Sequence, residues 1–475
     1  MDSGNEDTHL LPDTDNAIRT RTKSKKSVHY SICVILILHN VSTQSGYSVI
    51  MEYTFRHISE QIQADLTNSS ITQSIPNKNC SFHSAEAQRE SAQWDAYYGY
   101  AEYIPGLFVV VFGGIMSDYY GRRFFIILPL LGTFLQYFAT LVVVQYNLDI
   151  KYFFVGFLLA GITGTRCTLS MALSGVVADI TKYDKSRSFT FALLHLYDGI
   201  GSTIAHISTG YTLKYLGSVP PCLVSLVLCF FNLFTGLYLP ETLGNSKRKT
   251  NDDTLCQKVG RFFAFYTSSS NLRDGQVWQF VMCVLALTFV ISPFTTRSSV
   301  DVLYFLGQPF CFTSEKIGWY DSADDVVSLC ISVFVLKLFH FCANDDTIAI
   351  LSCLSGILSF TIEGFASVWW MLYVAAICGV ISLNALPVIR GILSRLVNET
   401  RQGALFANIY FLETMFRLIG DLVFFNVYAD TQGFMKGFVY FVYAAFIAAG
   451  GSFMIPVLIS ARRKFRKMQE MTIQV

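Results

Sequence analysis

Gly114-Ile115-Met116-Ser117-Asp118-Tyr119-Tyr120-Gly121-Arg122-Arg123 is a charged, glycine-bounded turn set between two long apolar runs, Tyr97 to Met116 and Phe124 to Val144. Runs of that length read as membrane-spanning helices, because about 20 residues rising ~1.5 Å each cross the hydrocarbon core. The turn therefore sits at a membrane face. Its residue types suit a gate. Gly114 lets neighbouring helices approach closely, Gly121 can take the positive φ of a tight turn, and Asp118 and Arg122 can make charge contacts that break when helices rock apart. The plainer reading is a juxtamembrane loop that holds positive charge on the cytoplasmic side.

The rest of the chain has the same character. It is 52% hydrophobic and 15% charged over 475 residues with a net charge of +1, which points to a polytopic membrane protein and gives no basic domain for nucleic acid. The N-terminus is polar, ends in Arg19, Arg21, Lys23, Lys25 and Lys26, and lacks the short apolar core of a signal peptide. A first span over Val28–Met51 is expected to be retained, with this basic flank in the cytosol.

Further spans are expected over Tyr97–Met116, Phe124–Val144, Tyr152–Val177, Phe189–Leu213 and Pro220–Leu239. After a polar stretch come Trp278–Leu306, Gly318–Phe339, Thr347–Val368, Trp370–Ile389, Gly403–Phe425 and Phe434–Leu458. The expectation is an all-α membrane protein of twelve transmembrane helices in two six-helix halves. Its parts are a cytosolic tail over 1–27, an N-terminal half over 28–240, a cytosolic linker over 241–277, a C-terminal half over 278–458 and a cytosolic tail over 459–475. Alternating from a cytosolic N-terminus puts most of the 35 Lys and Arg on cytosolic segments, as the positive-inside rule requires.

The polar loop from about Phe55 to Trp94 falls on the non-cytosolic side. Its sequons, Asn68-Ser69-Ser70 and Asn79-Cys80-Ser81, are glycosylation candidates there. Most of the 12 cysteines fall in spans as ordinary packing, and no Cys-x-x-Cys or Cys/His metal spacing appears. No metal and no cofactor is expected. Cys80 and Cys311 lie in non-cytosolic loops of opposite halves, where either a lasting disulfide or two free thiols is open.

An ionisable side chain deep in a span is costly unless paired or wetted, so each is a candidate site. Glu413, Arg417 and Asp421 recur every fourth residue and share one helix face, read either as an internal ion-pair ladder or as part of a substrate cavity. Arg166 and Asp198 fall near the middle of their spans and can meet at the midplane, as an anion-binding charge, a breakable pair or a permanent structural pair. His195 lies one turn before Asp198, and an imidazole titrating near 6.5 suits a proton carrier, although a lone membrane histidine also serves as a packing residue. Pro293 is expected to break or kink its span beside Arg297 and Asp301. Glu363 reads as solvated at a span end.

The spacing of residues 114–123 resembles the signature loop of the major facilitator superfamily, and Pro240-Glu241-Thr242 after the sixth span is a second resemblance. The match favours the gate over the plain loop. Further on, Leu386-Pro387-Val388-Ile389-Arg390, Leu393-Ser394-Arg395-Leu396-Val397, Gln402-Gly403-Ala404-Leu405-Phe406 and Phe434-Met435-Lys436-Gly437-Phe438 resemble solute carrier family 46, the proton-coupled folate transporter and its relatives. Val177-Ala178-Asp179 and Ile317-Gly318 add to the match. The resemblance implies alternating access by two halves, with Asp118 and Arg122 in the signature loop, Asp179 as their partner and Arg390 as the family's functional arginine. It also implies a Cys80–Cys311 extracellular bridge.

Three departures stand against a folate substrate. His195 replaces a coupling glutamate, Phe157 replaces an arginine, and the seventh span has no histidine. Phe411-Leu412-Glu413-Thr414 is closer to the lysosomal member, linked to muropeptides and related bulky solutes. In the cytosolic tail, Glu6-Asp7-Thr8-His9-Leu10-Leu11 has the acidic dileucine pattern read by sorting adaptors.

The expected function is secondary active transport of a small organic anion, folate-like or muropeptide-like, driven by protons across the plasma or lysosomal membrane, with both termini cytosolic. Arg166, His195, Asp198, Arg390, Glu413 and Arg417 are the candidate substrate and proton groups. Gly114, Asp118, Gly121, Arg122 and Asp179 are the candidate gate. The alternatives are a pH-independent exchanger of a polar metabolite and a non-transporting lysosomal receptor or scaffold. The spans show no catalytic constellation of an intramembrane enzyme.

Overall fold

The computed structural model of the chain describes residues 14–68, 82–181, 185–243, 272, 277–306, 309–310, 312, 314–398, 401–431 and 434–473. They form α1 (Thr14–Asn68), α2 (Phe82–Tyr120), α3 (Arg123–Gln145), α4 (Phe153–Thr163), α5 (Thr165–Ile180), α6 (Lys185–Leu216) and α7 (Val219–Tyr238). A second set comprises α8 (Val277–Leu306), α9 (Ser314–Asp325), α10 (Ser332–Cys342), α11 (Asp345–Gly364), α12 (Trp369–Cys378), α13 (Ala385–Leu396), α14 (Gln402–Thr431) and α15 (Phe438–Ile473). Each expected span falls on one helix or on a pair joined by a short break. Seven of the described segments are long and apolar enough to cross a membrane, and the only β contact among the described residues is an isolated bridge between Leu272 and Val397.

The breaks have local causes. Gly164 adopts φ +107°, which ends α4 and restarts the chain as α5. Two residues later this restart delivers Arg166 into the bundle. A π-helical turn, Val326–Ile331, joins α9 to α10, and a 3₁₀ turn, Ser382–Asn384, joins α12 to α13. Both mark places where the ordinary helical ladder gives way inside a packed bundle.

In the first half α1 packs along α6 and α7, α3 on α4 and α7, and α2 on α4 and α5. In the second, α15 packs on α8 and α11, and α11 on α12 and α13. The halves meet where α2 and α5 face α14, and where α6 faces α13 and α9. Phe108, Phe138, Phe231, Phe334 and Ile377 point outward and are exposed. Such a surface is a liability in water and matched to lipid, while the buried polar side chains lie inside, as a multi-pass membrane protein requires.

Several sequence expectations change. The supposed loop over 55–94 is helical wherever described, because α1 continues to Asn68 and α2 starts at Phe82. These polar extensions carry helix-compatible pairs such as Arg56 and Glu60, 3.9 Å apart at i,i+4. Pro293 lies inside α8 without breaking it, so Arg297 and Asp301 continue the same helix. Glu363 is 2% exposed and not solvated. Asn68 ends α1. Glu6, Leu10, Leu11, Asn79, Cys80, Cys311 and most of the supposed linker lie outside the described residues.

Candidate functional site

Residues 114–123 close one end of the bundle, called here the turn end. Gly121, at φ +106°, reverses the chain between α2 and α3, and a Cβ there would meet Glu241 Oε2 at 2.2 Å. Arg122 is folded inward, with its side chain 1% exposed. Its Nη1 lies 3.0 Å from Asp118 Oδ1 and its Nε 3.3 Å from Asp179 Oδ2, and it also donates to Ser117 Oγ. A buried guanidinium held by two carboxylates escapes the penalty of an unpaired charge.

Asp118 is shared across the halves. Its Oδ1 accepts from Gly403 N at 3.1 Å and its Oδ2 from Ala404 N at 3.3 Å. These are the second and third residues of α14, whose first-turn N–H groups have no partner within their own helix. Asp118 thus caps α14 from the opposite half, where the helix dipole also favours an anion. The approach requires small residues: a Cβ on Gly114 would sit 1.8 Å from Ala407 Cβ, and one on Gly403 2.3 Å from Arg122 Nη1.

Glu241 locks the turn from behind. Its carboxylate accepts from Arg122 N at 3.0 Å, Arg123 N at 3.2 Å and the N–H groups of Thr242 and Leu243 at 3.0 Å each. Thr242 Oγ1 donates to Asp179 Oδ2 at 3.4 Å. Two more buried groups join the halves at this end. Arg187 Nη1 donates to Ser394 Oγ at 3.0 Å, and its Nη2 to Ala178 O at 2.8 Å. Ser188 Oγ donates to Asp345 Oδ2 at 2.7 Å, and the same carboxylate takes Arg395 at 2.5 Å and His340 at 3.0 Å.

About 10–16 Å from the turn end along α6 and ~15 Å along α14, by the helical rise per residue, lies a charged layer. Arg390 on α13 donates from Nη2 to Glu413 Oε2 at 2.8 Å and from Nη1 to His195 Nε2 at 3.0 Å, and it lies 5.0 Å over the Tyr410 ring. A guanidinium has only donors, so His195 Nε2 is the acceptor and the ring is neutral in this arrangement. Arg390 Nε is buried with no acceptor among the described residues. Three residues along α6, Asp198 Oδ2 lies 3.4 Å from Arg166 Nη2, while its Oδ1 accepts from Asn40 Nδ2 at 2.5 Å. The Arg166 side chain is 45% exposed; at this depth that exposure fits an internal cavity and not lipid. Arg417 lies 5.1 Å over the Tyr103 ring, and the Asp421 side chain is outside the described residues.

The structure thus gathers Gly114, Asp118, Gly121, Arg122 and Asp179 at the turn end, and Arg166, His195, Asp198, Arg390 and Glu413 in the central layer. Glu413 pairs with Arg390 from another helix. Glu241, Ser394 and Gly403 stand in the runs that carry the resemblance but had no role there, and Arg187 and His39 stand in none of them. Only the Pro-Glu-Thr run hinted at Glu241. His39, buried with neither ring nitrogen bonded among the described residues, lies on an apolar stretch that gives no signal.

Comparison with known proteins agrees with this geometry. A profile of the Major Facilitator Superfamily matches residues 87–420. The rat proton-coupled folate transporter is 29% identical over 388 residues, covering 80% of this chain and 82% of that protein. The mouse lysosomal proton-coupled steroid conjugate and bile acid symporter SLC46A3 is 25% identical over 418 residues, covering 86% and 88%. Among solved structures, the human organic anion transporter MFSD10 (TETRAN) superposes with TM-score 0.71 at 15% identity over 90% of this chain and 99% of that one. FucP in its outward conformation gives 0.63 at 13% identity, over 91% and 98%.

Proposed function

Because the chain belongs to the Major Facilitator Superfamily, we propose that it is a proton-coupled symporter of an organic anion, working by alternating access between two six-helix halves. The observation that carries this reading is the central layer, where Arg166 stands against Asp198 and Arg390 against Glu413. The Arg166 side chain, 45% exposed, and the Arg390 Nε–H, which has no acceptor among the described residues, suit a carboxylate, sulfate or similar anion. The relatives named as transporters of folate and of steroid conjugates and bile acids carry organic anions too, and within that class a bulky, partly apolar anion suits Tyr103 and Tyr410 beside the arginines.

His195 is the proposed proton switch, since its protonation puts a second cation against Arg390 and favours parting α6 from α13. The turn end is the proposed cytosolic gate, following the positive charge on that side, and the contacts of Asp118, Arg122, Asp179 and Arg187 hold it shut in this conformation. A pH-independent exchanger has one observation in its favour, the acceptance by His195 of a hydrogen bond that keeps it neutral.

The test is uptake of labelled folate and of a sulfated bile acid by cells bearing the chain at their surface, at about pH 5.5 and about pH 7.4, which straddle the imidazole range. Symport predicts acid-stimulated uptake, lost in Arg122→Ala and with a smaller acid-to-neutral ratio in His195→Ala. Uptake equal at both pH values would instead establish exchange.

A further inference from the structure

The second half holds another charged cluster that the transport layer does not use. Arg297 on α8 donates from Nε to Asp301 Oδ2 at 2.7 Å and from Nη2 to Glu363 Oε1 at 2.8 Å, and its Nη1 is 3.9 Å from Asp324 Oδ2 on α9. One guanidinium therefore faces three carboxyl groups. They are not equivalent. Asp301 has both oxygens satisfied, since Tyr440 on α15 donates to its Oδ1 at 2.6 Å, which makes it the natural anionic partner of Arg297. Glu363, the penultimate residue of α11, is 2% exposed, and its Oε2 has no hydrogen-bond partner among the described residues.

A buried carboxylate oxygen without a donor costs several kcal/mol, and a proton on that oxygen removes the charge. A purely structural anchor for Arg297 would need Asp301 alone. The other groups around Glu363 add no cation. Tyr304 on α8 donates to its backbone carbonyl at 3.1 Å. Tyr320 on α9 stacks edge-on against Tyr373 of α12, and the arginines of α13 are engaged elsewhere, Arg390 with Glu413 and Arg395 with Asp345. Further out on α9 stand Asp321 and Asp325, the latter 3.6 Å from His206 of the first half. Asp324 and Arg297, 24% and 19% exposed, give the cluster an opening to water.

We propose that Glu363 is a second proton-binding carboxyl of this transporter, set at the end of the bundle opposite the turn and read through its ion pair with Arg297. This rests on the proton-coupled reading above. The proton comes from the water at that end and adds to Oε2. With Glu363 neutral, Arg297 is balanced by Asp301 and drawn toward Asp324. Since α9 also carries Asp325 against His206, occupancy of Glu363 is coupled to the contact between halves at that end.

The test uses the full chain in lipid nanodiscs and two variants. Glu363→Gln keeps the size and the acceptor for Arg297 but cannot titrate, and Glu363→Asp keeps the acid. Infrared difference spectra on acidification should show a protonated-carboxyl carbonyl band in the wild type, shifted in Glu363→Asp and lost in Glu363→Gln. An identical band in Glu363→Gln overturns the proposal. In cells, Glu363→Gln should lower the acid-to-neutral uptake ratio with His195 intact, and an unchanged ratio beside an acid-stimulated wild type overturns the coupling role. If the wild type shows no acid stimulation while the band still depends on Glu363, the symport reading fails and the proton site stands. Should Glu363→Gln not reach the membrane, Glu363→Asp decides, since an unmoved band and pH midpoint would overturn the assignment.

Discussion

The Asp118 carboxylate caps Gly403 and the residue after it across the two halves, at 3.1 and 3.3 Å, while binding Arg122 within its own half. One side chain therefore ties the gate's internal ion pair to the helix that must leave when the gate opens. Losing a helix cap costs about 1 kcal/mol and stripping a partner from a buried ion pair ~3–5 kcal/mol. Asp118→Ala should abolish uptake at normal surface expression. Asp118→Asn, which keeps one acceptor oxygen, should retain part of it. Equal uptake by both variants and the wild type would deny the cap any role.

Glu241 offers a separate test of the turn, because it accepts four backbone N–H groups and touches no central residue. Glu241→Gln exchanges a charged acceptor at the start of α3 for a neutral one. The expected loss is about 1–2 kcal/mol, read as a lower apparent melting temperature in detergent. Glu241→Asp, too short to span the same donors, should fall as well.

The contact between Arg390 Nη1 and His195 Nε2 fixes the sign of a pH effect. Protonating His195 removes the acceptor and sets two cations side by side, so acid disfavours the arrangement in which α6 and α13 are joined. Spin labels on Tyr120→Cys and the native, exposed Cys342, with other reactive cysteines replaced, should report a longer distance at acid pH as the turn end opens. In His195→Ala the distance should respond less. A shorter distance at acid pH would reverse the proposed switch.

How far the sequence could be read depended on the range of the interaction. Residues 114–123 carry their own turn chemistry, and the long apolar runs declare their helices, so the fold and the position of Asp118 and Arg122 were legible. The ionisable residues of the central layer stood out because a membrane makes any charge conspicuous. Their partners did not, since helix rotation and the packing of α6 against α13 decide that Glu413 meets Arg390. Glu363 was misread because proximity to a span end suggested water, whereas Arg297 pairs with it and the start of α15 packs on the neighbouring Gly364. Glu241 reaches Arg122 N and Arg123 N, and Arg187 reaches Ser394, all more than a hundred residues away, which no local pattern reveals.

The close approach of Gly114 to Ala407 gives a further prediction. A Cβ on Gly114 would lie 1.8 Å from Ala407 Cβ, against the ~3.5–4.0 Å at which carbon atoms rest. Neither atom belongs to a flexible side chain, so the clash is relieved only by moving α2 from α14. That motion also pulls Asp118 from Gly403. Overpacking typically costs about 1–3 kcal/mol, enough to move a balanced two-state equilibrium strongly toward the form with the turn end open. Gly114→Ala should therefore lower uptake and lengthen the Tyr120→Cys to Cys342 distance at neutral pH. Ala407→Gly removes the opposing atom, so the double variant should recover both uptake and distance. A defect of Gly114→Ala that Ala407→Gly leaves untouched would mean that the glycine serves local backbone needs in α2, and that closure of the halves does not depend on this contact.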